Sequence, residues 1–120
     1  MEDIKVNDYI RTKDGIIARV TRYDDLMLDC DRDVFDLGYL AMMEIPVEYI
    51  QEYVMKHSKN IIDLIEIGDF VEIIADGQPL RCEVDEFDYK NKLKDIGEEI
   101  IVKSIVTKEQ FNSIKYKLEE

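Results

Sequence analysis

The sequence predicts a mainly β protein made of two similar small units in tandem. Three observations support this: the length of 120 residues, an internal repeat at about half that length, and apolar residues that alternate with polar ones. Domains cluster at roughly 100–150 residues and about 60 residues is near the lower limit for independent folding, so the chain holds one ordinary domain or two very small ones. The hydrophobic fraction of 46% predicts a packed core.

The repeat starts with a pattern of eight residues. Residues 4–11 run apolar, charged, apolar, Asn, Asp, aromatic, apolar, charged, and residues 65–72 follow the same pattern with Gly in place of Asn. An Asp-Gly pair, which signals a tight turn between two strands, follows each occurrence. The same offset of 61 overlays residues 45–56 on residues 106–117 and so places Ile50 over Phe111. These two blocks predict a duplication.

In the first unit, four strands are predicted before a helical turn and a fifth strand. The alternation of apolar and polar residues places the starts of the four strands near Ile4, Ile16, Leu26 and Leu37. Pro46 is predicted in the first turn of the short helix, because a missing N–H has no consequence there. The last strand would then run through Tyr53 and Met55.

The second unit is predicted to end in the same way. Thr107 and Gln110 stand at capping-box spacing, which favours a helical turn at Phe111. The closing strand would carry the alternating residues Ile114, Tyr116 and Leu118.

Short strands with a helical turn before the last one are typical of a small SH3-like barrel. The predicted fold is therefore mainly β, with two tandem small SH3-like β-barrel units that contain short helical turns. Residues 1–57 would form the first unit, residues 58–64 a packed junction rich in apolar side chains, and residues 65–120 the second unit. One mixed β domain of about eight to ten strands is the alternative.

The charge of the chain excludes several classes of function. It has 28 acidic and 16 basic side chains, which gives a formal net charge of −12. Direct nucleic-acid binding is not expected, because it needs a basic stripe that replaces phosphate counterions. No apolar run reaches the roughly 18 residues of a membrane span, and no signal peptide is recognisable. We therefore expect a cytoplasmic protein without a membrane partner.

The most conspicuous feature is the acidic segment, residues 23–36. It contains six aspartates: Asp24, Asp25, Asp29, Asp31, Asp33 and Asp36. Because strand residues alternate between faces, Asp29, Asp31 and Asp33 are expected to share one exposed face, with Leu28 and Cys30 on the other. That face is either a solvated surface or a docking surface for a basic partner.

A calcium site is not predicted in the acidic segment. Asp29, Asp31 and Asp33 imitate the opening of an EF-hand loop that would start at Asp29. Its sixth position, however, holds Val34 where Gly is needed, and its twelfth holds Leu40 where Glu is needed.

Catalysis is not expected from the residues present. His57, the one histidine, lies in the polar stretch KHSK and is predicted to be a surface residue. Cys30 and Cys82 fall on predicted inward faces, where cysteine acts as a small apolar residue. The sequence contains neither a glycine-rich phosphate loop nor a nucleophile elbow. No catalytic residue, metal or cofactor is predicted.

Three segments resemble a group of small phage and prophage proteins of Gram-positive bacteria. They read VNDYIRTKDGIIARV, KHSKNIIDLIEIGDFV and IVKSIVTKEQFNSIKYKL, and together they cover about 50 of the 120 residues. The resemblance brings no established function and no site residues. It implies an accessory protein of a mobile element, made in a bacterial cytoplasm, that binds a host or phage macromolecule.

The predicted function is that of a non-enzymatic acidic binding protein. In this hypothesis it inhibits a host nucleic-acid-processing or defence protein, of the restriction or CRISPR type, by presenting acidic strand faces to a basic groove. The predicted contacts are the six aspartates with Tyr23, Phe35 and Tyr39. One alternative is a structural or adaptor module. Another is an oligomeric sponge for a small nucleotide, which would need to cluster some of the five arginines.

Overall fold

The chain is mainly β, as the sequence predicts, and its strands form two antiparallel sheets. A computed structural model describes residues 4–38, 40–75, 77–84 and 100–118. Contacts between residues divide the chain after Leu64, which gives unit 1, residues 1–64, and unit 2, residues 65–120.

Unit 1 contains a five-stranded antiparallel sheet. Its strands are β1 (Tyr9–Thr12), β2 (Ile17–Tyr23), β3 (Met27–Asp31), β4 (Met42–Pro46) and β5 (Val54–Ser58). They lie in the order β4-β3-β2-β1-β5, so the chain runs as a meander from β1 to β4 and returns beside β1. Among the described residues β4 and β5 are the two edges and do not pair, so hydrogen bonding leaves this sheet open.

One face of this sheet forms the core of unit 1. In β3, Leu28 and Cys30 are fully buried while Asp29 and Asp31 on the opposite face are partly exposed. The buried cluster consists of Ile4, Ile10, Ala18, Val20, Leu28, Cys30, Ile45, Ile50 and Val54. Burying one large aliphatic side chain contributes about 1.5–3 kcal/mol, so this cluster is the main source of stability of the unit.

The helical turn predicted before the last strand of unit 1 is confirmed. A 3-10 helix, Val47–Tyr49, follows Pro46 and leads into α1 (Ile50–Tyr53), whose Ile50 is buried. The fourth strand lies later than predicted, because residues 32–38 and 40–41 lie outside any strand and β4 starts only at Met42.

The predicted junction, residues 58–64, lies within unit 1. Strand β5 ends at Ser58 and a 3-10 helix spans Ile61–Leu64. The Arg11 Nη1 group donates a hydrogen bond to the Leu64 carbonyl at 2.9 Å. Arg11 and Leu64 are both 1% exposed, so the last residue of unit 1 is fixed to its first strand.

Unit 2 contains a three-stranded sheet followed by a helix. Its elements are β6 (Phe70–Ala75), β7 (Gln78–Glu83), β8 (Ile100–Val106) and α2 (Lys108–Leu118). The strand order is β7-β6-β8. Val71 and Ile73 of β6 are buried, as expected for alternating residues of a strand with one face on a core.

The closing strand predicted through Ile114, Tyr116 and Leu118 is wrong, because these residues lie in α2. The capping box at Thr107 and Gln110 explains the start of the helix. The Gln110 N–H donates to Thr107 Oγ1 at 3.3 Å, and the Thr107 N–H donates to Gln110 Oε1 at 3.1 Å. No Pro or Gly interrupts the helix through Leu118, so it continues where a short turn was expected.

The first block of the sequence repeat has a structural counterpart. Each unit starts with a turn, followed by a hairpin whose first strand pairs on its other side with a third strand. The register of β1 with β5 shifts after Arg11, and that of β6 with β8 shifts after Glu72, which is 61 residues later. Such a shift is typical of a β-bulge, and both sheets have it at the same repeat position.

The second block of the repeat has no such counterpart. Residues 45–56 run from the end of β4 through α1 into β5, whereas residues 106–117 lie at the end of β8 and in α2. The strand of unit 2 that corresponds to β5 is β8, since Ser58 pairs with Tyr9 and Val106 pairs with Phe70. The overlay of Ile50 on Phe111 is therefore wrong.

In the described part of the chain, the longest helix is too short to cross a membrane.

Candidate functional site

The acidic segment runs from the end of β2 to the β3–β4 loop. Asp24 and Asp25 lie in the β2–β3 turn, Asp29 and Asp31 in β3, and Asp33 and Asp36 in the β3–β4 loop. The prediction that Asp29, Asp31 and Asp33 share one strand face is wrong for Asp33, because β3 ends at Asp31. The six aspartates therefore occupy three different local structures.

Asp24 organises the β2–β3 turn. Its Oδ1 accepts hydrogen bonds from the N–H groups of Leu26 at 2.8 Å and Met27 at 2.9 Å, and its Oδ2 accepts one from Arg22 Nη2 at 2.6 Å. The N–H of Leu26, then that of Met27, and more weakly Arg22, hold the pKa of Asp24 below its ordinary value. Asp24 is therefore a turn residue as well as part of an acidic surface.

Asp33 organises the β3–β4 loop. Its two carboxylate oxygens accept the N–H groups of Leu37 and Gly38, each at 2.8 Å, and its own N–H donates to Asp31 Oδ1 at 2.8 Å. Aspartate commonly makes such bonds to the backbone in turns. They position the backbone at Leu37 and Gly38, and Gly38 has a φ of 86° that favours glycine.

Two carboxylates face each other across β3 and β4. Asp29 is directly opposite Glu44, and both side chains are on the face of the sheet away from the core. Like charges directly opposite in a sheet are destabilising. On the other side of β3, Asp31 lies opposite Arg19 of β2. Asp29 lies opposite Arg22 of β2, but the Arg22 guanidinium contacts Asp24.

Exposed apolar side chains lie beside these carboxylates. Leu40 is 98% exposed, Leu37 64% and Met42 54%, and all three belong to the β3–β4 loop or the start of β4. Of the predicted aromatic contacts, Tyr23 and Phe35 are half-buried, and Tyr23 packs against the core. Tyr39 lies outside the described residues. The leucines, which the prediction omitted, are thus the more accessible apolar groups.

Cys30 is buried and is not a reactive thiol. Burial, with a smaller contribution from the charge of Asp29, raises the pKa of Cys30 to about 12. The thiolate is the nucleophilic form, so Cys30 is inert in the folded unit. The side chain of Cys82 lies outside the described part, and the prediction that it is buried stays a prediction.

A second group of polar residues lines a surface pocket of about 270 Å³ in unit 1: Lys5, Asp8, His57, Ser58 and Lys59. His57 was predicted to be an isolated surface residue. It lies in β5, its side chain is 23% exposed, and its Nδ1 is 3.4 Å from Oδ2 of the buried Asp8. No local pattern in the sequence indicates this contact, because the two residues lie far apart along the chain.

Unit 2 presents an apolar depression on one face of its sheet. Phe70, Val106 and the strand residues beside them line a pocket of about 340 Å³. The ring of Phe111 lies 5.0 Å from that of Phe70, centroid to centroid, and the Arg81 guanidinium is 3.4 Å from the Glu72 carboxylate. The sequence has a second acidic patch, Glu83, Asp85, Glu86 and Asp88, of which only Glu83 is among the described residues.

Among the described residues, no cluster of three or more His, Cys, Asp or Glu side chains is arranged to hold a metal ion. Comparisons with protein-family models, curated proteins and solved structures found no match for the chain. Its function is therefore inferred from its own residues.

Proposed function

We propose that the chain is a non-enzymatic binding protein whose acidic segment docks on a basic surface of another protein. The observation that carries this proposal is the position of Asp29 directly opposite Glu44. A like-charged pair on a solvent-facing part of a sheet lowers the stability of the free protein. A basic group of a partner would relieve that repulsion, so the arrangement favours the bound state.

The β3–β4 loop supports the same proposal. Leu37 and Leu40 are largely exposed, and Asp33 holds the backbone that carries Leu37. A backbone segment that hydrogen bonds already position, such as the one at Leu37 and Gly38, loses little conformational entropy on binding. In protein interfaces a few apolar anchors supply most of the binding energy, while surrounding charges set the association rate. The leucines would supply the binding energy, and the carboxylates would set the association rate.

The identity of the partner is proposed at the level of its chemistry. A protein with a net charge of −12 is attracted to a basic groove, and such steering raises association rates by about 10–10³ at low salt. The resemblance to phage and prophage proteins supports a narrower form of the proposal. In that form, the partner is a nucleic-acid-processing or defence enzyme in the cytoplasm of a bacterial host.

At the level of fold, we propose that unit 1 is an SH3-like unit. The strand order β4-β3-β2-β1-β5 and the helical turn before β5 support this assignment. Unit 2 shares the first hairpin and a third strand with unit 1 and then ends in α2, so the tandem form of the proposal rests on the shared part alone.

The sharpest test neutralises one member of the like-charged pair. Glu44→Gln is expected to raise the free energy of unfolding by about 0.2–1 kcal/mol, because the repulsion is removed. The same change is expected to lower the association rate with the partner. Stability and binding should therefore move in opposite directions. The matched control is Glu52→Gln, which removes the same charge from an exposed position on α1 and with it an exposed ion pair to Lys13 at 3.9 Å, a contact worth about 0–1 kcal/mol.

The measurement needs an identified partner. Tagged protein would be incubated with bacterial lysate at about 0.05 M and about 0.5 M salt, since a docking surface of charges is screened at the higher concentration. Surface plasmon resonance would then give rates for wild type, Glu44→Gln, Leu40→Ser and Glu52→Gln. Unchanged association of Glu44→Gln, combined with higher stability, would mean that the carboxylates are only a solvated face.

A further inference from the structure

We propose that the pocket around His57 in unit 1 is a binding site for the phosphate group of a small molecule. Two exposed lysines, Lys5 and Lys59, flank the pocket, and the imidazole of His57 lies between strand β5 and the buried Asp8. This site is separate from the acidic segment, and the proposal does not depend on the docking function proposed above.

The carboxylate of Asp8 orients the imidazole. Asp8 is 4% exposed, and its Oδ2 accepts the Lys5 N–H at 3.0 Å while lying 3.4 Å from His57 Nδ1. A carboxylate that holds one ring nitrogen fixes the orientation of the other. The Nε2 atom is therefore the ring nitrogen left for a ligand, and a protonated ring would donate a hydrogen bond from it to an oxyanion.

The repeat shows that the turn itself does not require this histidine. At the matching turn of unit 2, Asp69 accepts the Glu66 N–H in the same way, but its second contact is the backbone N–H of Lys108. The pairing of β1 with β5 places His57 opposite Ile10, and the pairing of β6 with β8 places Ile105 opposite Val71. An apolar residue therefore satisfies this strand position in unit 2, and a functional role would explain the imidazole in unit 1.

The local charges suit a single phosphate group better than a nucleic acid. Charges farther away than about 8 Å are largely screened at physiological salt, so a small ligand in the pocket interacts with Lys5, Lys59 and His57 and with the carboxylate of Asp8, which lines the same pocket. The charge of Asp8 is directed at the imidazole and the Lys5 N–H. Ser58 donates to Asp63 Oδ2 at 2.6 Å, which occupies its hydroxyl hydrogen. A long polyanion would also meet the remaining acidic surface, which repels it.

The test uses the full-length protein and the single histidine as its probe. Because the chain has one histidine, its ring resonance in the NMR spectrum is unique. Sulfate would be titrated at about pH 5.5 and about pH 8, because sulfate keeps its charge over this range while the lower pH favours the protonated ring that donates from Nε2. Saturable movement of the His57 resonance with at least threefold tighter binding at the lower pH is expected.

Variants assign the binding to the pocket. Lys5→Gln and Lys59→Gln are each expected to weaken sulfate binding at least threefold, whereas the control Lys103→Gln, an exposed lysine of β8, should leave it unchanged. All three lysines are exposed, so circular dichroism should show the same fold. Equal weakening in all three variants, or no saturable movement at pH 5.5, would overturn the proposal.

Two ligands identify the source of the phosphate. Inorganic phosphate and adenosine monophosphate would be titrated in the same way. Tighter binding of the nucleotide would support a nucleotide ligand, and equal binding would support a free oxyanion. Failure of both ligands to displace sulfate would show that the pocket has no phosphate site and would overturn the proposal.

Discussion

Asp8 and Asp69 occupy the same turn in the two units and differ in what they hold. Each is buried and accepts the N–H of the residue three positions earlier, at 3.0 Å from Lys5 and 2.7 Å from Glu66. The residue before each aspartate has a positive φ, 76° at Asn7 and 97° at Gly68. The further contact of Asp8 is the His57 ring, and that of Asp69 is the N–H of Lys108 at 2.9 Å.

The difference teaches which part of the repeat is structural. The hydrogen bond back to the preceding turn is present in both units, so it belongs to the hairpin itself. The rest of each carboxylate has different neighbours. In unit 2 it accepts the N–H of Lys108 at the start of α2, and in unit 1 it lies beside the ring of His57, which is part of β5 and lines a pocket. The same turn thus places its aspartate beside a backbone N–H in unit 2 and beside an imidazole in unit 1.

The largest expected effect comes from removing these two carboxylates. Asp69→Ala should lower the free energy of unfolding by about 3 kcal/mol and Asp8→Ala by about 2 kcal/mol, because a hydrogen bond to a charged group contributes about 1.5–3 kcal/mol. Asp69 ranks first since it accepts two backbone N–H groups. Urea unfolding followed by amide hydrogen exchange would assign each loss to its unit.

The matched changes Asp69→Asn and Asp8→Asn keep one acceptor oxygen and serve as controls. They should recover part of the loss in both units. If Asp8→Ala proves as destabilising as Asp69→Ala, the ring of His57 supports the fold as strongly as the backbone N–H of Lys108 does, and the division into structural and functional contacts fails.

The cysteines give the next largest effect. Cys30→Ala should lower the free energy of unfolding by about 1–2 kcal/mol, because a packed side chain is removed from the core of unit 1. The thiol, whose pKa burial raises to about 12, should not react with Ellman's reagent at pH 8 until the protein unfolds.

Cys82 extends this test to the repeat. It pairs with Val71, as Ala18 pairs with Ile10, and Ala18 is fully buried. If the hairpins are equivalent, Cys82 should label as slowly as Cys30 in the native protein. The variant Cys30→Ala leaves Cys82 as the one thiol and so assigns the labelling. Rapid labelling of Cys82 would show that the two hairpins are not equivalent at this position of β7.

Exchanging the two positive-φ residues should have a smaller effect. Gly68→Asn is expected to cost about 1 kcal/mol, since asparagine tolerates this conformation but a Cβ at position 68 would lie 3.3 Å from two carbons of Lys108. Asn7→Gly should change stability by less than about 0.5 kcal/mol. Equal effects in thermal unfolding would mean that the contact of Gly68 with Lys108 imposes no restriction.

Acid titration of Asp24 should give the smallest effect, confined to the β2–β3 turn. The folded pKa of Asp24 is lowered, so its stabilisation is present above its ordinary value of 3.8 and is lost as the pH falls through the lower folded value. The amide resonances of Leu26 and Met27 should therefore move at a pH below 3.8 in NMR titrations. In Asp24→Asn they should not titrate there, and a midpoint above 3.8 in wild type would contradict the hydrogen-bonded turn.

The sequence predicted what depends on local patterns. Alternation in β3 identified Leu28 and Cys30 as core, and the capping box identified Thr107 as the start of a helix. The length of α2 was missed, because alternating Ile114, Tyr116 and Leu118 fit a strand as well as a helix over so few residues. A period-2 pattern carries little information when the segment is short.

The candidate site was harder to predict because its contacts join distant residues. The cross-strand pair of Asp29 and Glu44 depends on the register of β3 with β4, and that register depends on where the loop ends. The loop in turn depends on the hydrogen bonds of Asp33. In the sequence, however, the alternation of Asp29, Asp31 and Asp33 equally fits an exposed strand face. The contact of Asp8 with His57 requires the return of β5 beside β1, which only the complete fold shows.

The hydrogen bond from Arg11 to the Leu64 carbonyl determines the shortest fragment of unit 1 that should fold alone. A fragment ending at His57 contains every strand residue of the sheet but Ser58, yet it leaves the buried guanidinium without this acceptor. Since a hydrogen bond to a charged group contributes about 1.5–3 kcal/mol, that loss is large against the marginal stability of so small a unit. Expression of residues 1–64, with the 3-10 helix included, is therefore the rational starting point for studying the acidic segment and the histidine pocket apart from unit 2.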